Sequence, residues 1–192
     1  MTKRGIRRLT ILAALLALAA AGVAGALLVK RTMTARDIAR AREQGMALYH
    51  AGELEAALPL LGKYVGRHKD DAEVLIAFGM CRQEVPMPND RHIAQAIAVM
   101  RAAAELEPGN LEAREALLEL YARAGYLTEL DDLTTQILEL DPTHETALVT
   151  RVNAMLALDR DEDAVAAAEA LVGAHPDRLE SHALYAGTLN TA

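Results

Sequence analysis

Four carboxylates fall within the five residues Asp159 to Asp163, which read DRDED, a donor density that could gather a calcium ion. The run lacks the glycine and the terminal glutamate of a calcium loop, so it reads better as a turn followed by a negatively charged helix start. Six histidines are present. His68, His144 and His175 lie near the ends of apolar-periodic segments and His50 near a turn, and none pairs with a second ligand at i+3 or i+4 within one helix. The single cysteine, Cys81, sits among Phe78, Gly79 and Met80 with no evident base, and reads as a small buried thiol rather than a nucleophile. A lone cysteine also excludes an internal disulfide framework. No glycine-rich phosphate loop, nucleophile elbow or metalloprotease helix occurs. The residues imply no metal and no cofactor, and binding rather than catalysis is expected.

One charged pattern remains. Glu112, Glu115 and Glu119 are spaced by three and four residues, so on a helix they stack along one face, repel one another and attract a cationic partner. The bland alternative is a solvated helix face. Seven of the 20 Lys and Arg lie at or before Arg36, whereas all 27 Asp and Glu lie after it, which leaves 13 cations against 27 anions and a formal charge of −14 beyond that point. Such a body repels nucleic acid and anionic membrane surfaces. A groove for single-stranded nucleic acid would also need stacking aromatics, and Phe78 is the only phenylalanine in a chain without tryptophan.

These residues must be held by helices, because Ala, Leu and Glu dominate and apolar residues recur at three- and four-residue spacing. One such helix carries Ile97, Met100, Ala103, Ala104 and Leu106, and another Leu130, Leu133, Ile137, Leu138 and Leu140. A proline follows each: Pro108, Pro142 and Pro176 are separated by 34 residues, in ELEPGN, ELDPTH and AHPDR. Without a backbone N–H, proline ends a helix, so each marks the close of a helical hairpin.

The period, the apolar phase and the proline punctuation together resemble the tetratricopeptide repeat (TPR), a helix–turn–helix of 34 residues. The resemblance divides the chain after residue 37 into units at 38–71, 72–110, 111–144 and 145–178, with a partial fifth at 179–192, and implies an all-α, right-handed solenoid. Gly45, Gly79, Ala57, Ala96 and Ala164 fall on the family's small sites. Leu118, Val152 and Leu130 depart from them, so helix spacing there is expected to be wider or shifted. Lys69 stands where the first unit's proline belongs, and Pro59 falls inside a helix. The second unit is five residues longer, with VPMPND (Val85 to Asp90) the expected insertion, an exposed loop between its helices. The chain ends within a fifth hairpin, so a continuing chain or a covering partner is expected there.

The family binds extended peptides or helices along the wall formed by the first helix of each unit. The resemblance places there Arg42, Met46 and Tyr49; Glu73, Ile76, Met80 and Gln83; Glu112, Glu115, Glu119 and Ala122; and Thr146, Val149, Asn153 and Leu156. Only Asn153 and Arg42 echo the Lys and Asn pattern by which one subgroup grips a peptide's terminal carboxylate, so that specificity is not expected. The partner expected is a protein or peptide, basic and partly apolar.

The first 37 residues differ. Leu9 to Val29 contains no charge and only Thr10 as a polar residue, long enough to cross a bilayer as a helix. Residues 1–8 form a basic tail and 30–37 a basic juxtamembrane linker, which predicts a single-pass anchor at 9–29 with a cytoplasmic N-terminus and the repeats outside. A cleaved secretory signal is the alternative. The function expected is that of a membrane-anchored TPR scaffold at a bacterial envelope, against the alternative of a regulatory arm of an enzyme extending beyond residue 192.

Overall fold

The computed structural model describes the backbone of residues 3–88 and 91–191, and the side chains of 22, 25, 27–88 and 91–190. Among them are nine helices and no strand: α1 (Lys3–His50), α2 (Leu54–Val65), α3 (Ala72–Glu84), α4 (Arg91–Leu106), α5 (Leu111–Ala124), α6 (Leu127–Leu140), α7 (Glu145–Ala157), α8 (Asp161–Ala174) and α9 (Leu179–Thr191). Each helix packs on the next in sequence. In addition α1 meets α3, α3 meets α5 and α5 meets α7, whereas α2, α4, α6 and α8 make no comparable contacts with one another. First helices that approach while second helices splay produce a curved stack of hairpins with the first helices on the inner side.

The punctuation falls where the sequence places it. Pro108, Pro142 and Pro176 occupy the turns before α5, α7 and α9. Two residues beyond the first two of these prolines, and beyond Lys69 in the first unit, a side chain caps the following helix. Asp71 accepts from Val74 N–H, Asn110 from Ala113 N–H and His144 Nδ1 from Ala147 N–H. Turns inside the hairpins repeat as well: Gly52, Gly125 and Asp159 have φ of 78°, 72° and 55°, the left-handed region. Gly125 and Asp159 stand one period apart, and Gly52 precedes Gly125 by two periods plus the five-residue insertion. Asp159 thus begins the DRDED run in the turn, and Asp161, Glu162 and Asp163 form the first turn of α8, where the helix dipole favours them.

Apolar residues of successive hairpins merge into a core from Leu75 through Met100, Leu120 and Ile137 to Met155. Where the family's small sites hold glycine, the helices touch: a Cβ on Gly45 would lie 2.8 Å from Leu61 Cδ2, and one on Gly79 2.8 Å from Met100 Cε. The α5/α6 hairpin is looser than the other three complete hairpins, because the buried Leu118 and Leu130 hold the two backbones apart. In α7/α8, Val152 faces a hairpin whose partner site keeps Ala164, and the packing stays close. Pro59 lies inside α2 on an exposed face, where the lost hydrogen bond costs about 3 kcal/mol without ending the helix. In the insertion, Met87 N–H donates to His92 Nδ1, while Asn89 and Asp90 lie outside the described residues.

The N-terminal segment requires a correction. Among the described residues no helix is long and apolar enough to cross a membrane, which overturns the single-pass localisation expected from 9–29. The backbone of that segment belongs to α1, and most of its side chains lie outside the described residues. Residues 30–37 form no separate linker. They continue the same helix into the first hairpin, where Ile38, Ala41 and Met46 are buried. In its described part, the exposed Leu27, Leu28 and Val29 are followed at once by Lys30 and Arg31, so charge interrupts the apolar run.

Close approach at the glycines gives a stability prediction. Gly45→Val should lower unfolding free energy by about 1–3 kcal/mol in urea titrations, since Leu61 is fully buried and its backbone nitrogen lies 3.2 Å from the added Cβ. Gly79→Ala should cost less, because the thioether of Met100 can turn aside.

Candidate functional site

All fifteen predicted groove positions lie on first helices, but only some are free to meet a partner. At the fifth position of each unit stand Arg42, Ile76, Glu115 and Val149, and the residues just before the next unit are Asp71, Asn110, His144 and Arg178, the first three of them helix caps. Arg42 Nε donates to Asp71 Oδ2 at 2.9 Å, and Nη2 donates to Glu73 Oε2 at 2.7 Å. Two units further on, His144 Nε2 meets Glu115 Oε1 at 2.6 Å. The His144 Nδ1 already accepts the Ala147 N–H, so the ring proton sits on Nε2, which donates to the carboxylate. Both ties span 29 residues and join a first helix to the cap of the next.

Between the second and third units that tie is missing, since Ile76 faces Asn110. A cleft of 360 Å³ opens there, floored by Met46, Ile76 and Ala77, walled by Tyr49 and His50, and rimmed by Glu73, Glu107, Asn110 and Glu112. Five predicted groove residues thus meet in one place: Met46, Tyr49, Glu73, Ile76 and Glu112. Met46 and Ile76 are 7% and 4% exposed, so they form a floor rather than a protruding surface. Glu112 has no hydrogen bond or ion pair among the described residues. Burial of the Tyr49 phenol, and then the nearby Glu112 carboxylate, raise its pKa, which keeps it neutral and available as an aromatic face.

The remaining positions are scattered in role. Glu115 is engaged by His144, and Glu119 lies 3.9 Å from Arg123 of its own helix, so the uniform acidic row read from the spacing is reduced to Glu112. Met80, Val149 and Leu156 are half-buried, Gln83 is 4% exposed, and Ala122, Thr146 and Asn153 lie open to solvent. Arg42 is neutralised by two carboxylates and does not present a free cation. The sequence reading missed Glu107, Asn110 and His50, which come from the turn before α5 and the end of α1. The signal lay in the EPGN turn, where Asn110 Nδ2 donates to Glu107 Oε2 at 2.9 Å and holds that carboxylate beside the cleft.

The other chemistry-capable groups are occupied structurally. Burial pushes the Cys81 thiol up to about 11, and the residue has no accessible surface. Asp163 and Asp131 both bind Arg160, at 2.7 and 2.6 Å. His175 Nε2 donates to the Thr143 carbonyl at 2.8 Å across a unit boundary.

No family model and no curated protein matches the sequence. Solved structures do. MamA AMB-1 superposes with a TM-score of 0.68 at 16% identity, over 80% of this chain and 81% of that one. Another crystal structure of MamA gives 0.67 at 14% identity, over 80% and 81%. MamA from Desulfovibrio magneticus RS-1 gives 0.65 at 16% identity, over 81% and 85%. At such identities the likeness establishes the fold, an all-helical TPR-like solenoid.

Two outcomes follow from the site's electrostatics. Burial alone would raise the Asp71 pKa, but hydrogen bonds from Arg42, Tyr64 and Val74 N–H outweigh it and hold the carboxyl below its ordinary value. A depressed folded pKa stabilises above the unfolded value and is lost as pH falls through the folded one. Asp71→Asn should therefore cost about 1 kcal/mol at neutral pH and flatten the acid limb below the ordinary carboxylate range, measured by urea melts across pH. Native Cys81 should react with iodoacetamide at pH 8 at least about tenfold more slowly than the urea-unfolded chain, read by mass spectrometry.

Proposed function

We propose that this protein is a TPR-type scaffold, a binding protein rather than a catalyst, that docks a basic, partly apolar segment of a partner protein in the cleft between its first three units. The observation that carries this reading is the unpaired Glu112 carboxylate beside an apolar floor and a neutral aromatic wall. Glu107 and Glu73 add negative potential, although each is already engaged, by Asn110 and Arg42. A long cationic side chain suits this arrangement: its methylenes cover Met46 and Ile76 while its head reaches Glu112 and the face of Tyr49.

Magnitudes decide which effect dominates. Met46 and Ile76 have little surface left to bury, so the apolar contribution stays below the roughly 1.5–3 kcal/mol of a fully buried aliphatic side chain. Charge then sets partner choice and association rate, with the body's surplus of carboxylates steering a cationic segment inward. The likeness to other TPR-like solenoids supports a binding role in general and says nothing about this partner's chemistry.

The test uses a fluorescent peptide of alternating lysine and leucine and the full chain, read by anisotropy. Glu112→Lys should weaken binding by about tenfold or more. Glu119→Lys, whose carboxylate already faces Arg123, should change it little beyond the general charge effect. Equal affinity for the wild type and Glu112→Lys, or binding insensitive to added salt, would overturn the proposal.

A further inference from the structure

A second cleft lies on the opposite face of α5, between the second helices α4 and α6, and has a volume of 410 Å³. It sits beside the one hairpin that Leu118 and Leu130 hold open. Its wall includes Arg114, which is only 8% exposed. The Arg114 Nη1 donates to the Pro108 carbonyl. Its Nε is buried without any partner. Nη2 makes no hydrogen bond and keeps accessible surface. Among the described residues no carboxylate lies within ion-pair distance of this guanidinium.

Nη2 is thus the donor that a ligand in the cleft can reach, whereas Nε has no accessible surface. The other arginine lining this cleft, Arg101, is exposed and already engaged. Arg101 donates to the Tyr121 hydroxyl at 2.5 Å, stacks over that ring, and lies 3.9 Å from Glu129. Of the two arginines lining the cleft, Arg114 is the one that combines deep burial and a fixed Nη1 with no carboxylate partner. Leu117, Leu133 and Ala104 supply an apolar lining beside it.

We propose that this cleft binds a monocarboxylate on a short apolar body, with Nη2 of the buried Arg114 guanidinium as its receptor. A carboxylate accepting from Nη2 would neutralise the buried charge, while Leu117 and Leu133 cover a branched aliphatic body. Glu105, Glu129 and Asp132 also line the cleft, and their field disfavours a dianion such as phosphate more than a monoanion. The site shares no lining residue with the cleft at Glu112.

The full chain is titrated at neutral pH with 4-methylpentanoate, its neutral amide and inorganic phosphate, observing arginine Nε–H resonances by NMR. A parallel arm uses the tripeptide Gly-Gly-Leu as free acid and as amide, and the tighter acid identifies a free small molecule or a chain terminus as the source. The acids should shift the Arg114 resonance saturably, each at least about tenfold more tightly than its amide, with phosphate weaker than either acid. Arg114→Gln should abolish the response. Ala104→Leu, which fills the cleft and leaves the guanidinium in place, should do the same, and decides the matter if the arginine variant does not fold. Equal binding of acids and amides, equal binding of phosphate, an unchanged response in Ala104→Leu, or no shift at millimolar concentration overturns the proposal.

Discussion

Each hairpin can bury its apolar face only against the next one, and this constraint organises the molecule. Leu75, Leu120, Ile137 and Met155 are each at most 3% exposed because residues from the flanking hairpins close over them. A single hairpin has two apolar faces and no sheet or layer to cover the second. Stability is therefore a sum of neighbour interfaces, and any change in helix spacing is felt locally. Glycine at residues 45 and 79 brings two helices into contact, while leucine at residues 118 and 130 holds two apart and leaves a cleft beside α5.

Polar groups set the register of that stack. The caps Asp71 and His144 each serve twice, accepting a backbone N–H of their own helix and bonding a side chain of the preceding unit 29 residues earlier. Where Ile76 replaces the polar partner, the inner wall opens and a carboxylate is left unpaired. The same period that repeats a contact thus creates a site where the contact fails.

Much of this was legible in the sequence. Periodic apolar residues and prolines at a fixed interval specify helices and turns through local sterics, and both turned out as expected. The five-residue insertion was also readable, because it displaces one turn from an otherwise constant beat. The groove was less legible. Glu112, Glu115 and Glu119 look alike as a spacing pattern, yet His144 and Arg123 engage two of them from positions the pattern does not weigh. Reading 9–29 as a membrane span rested on one apolar window, and 30–37 looked like a linker only because that window was expected to end there. Helix α1 instead runs unbroken into the first hairpin.

By itself the sequence determined the repeat length, the helical class and the surplus of negative charge, since these follow from local backbone preference and composition. Tertiary structure alone decided which charges stay unpaired and which side chains are submerged. Arg114 is the clearest instance: on an isolated helix it would be one more solvated cation, and only the stacking of α4, α5 and α6 buries it beside a cleft without a carboxylate partner. Burial and pairing depend on contacts between residues far apart in the chain, and spacing along a single helix carries no record of them.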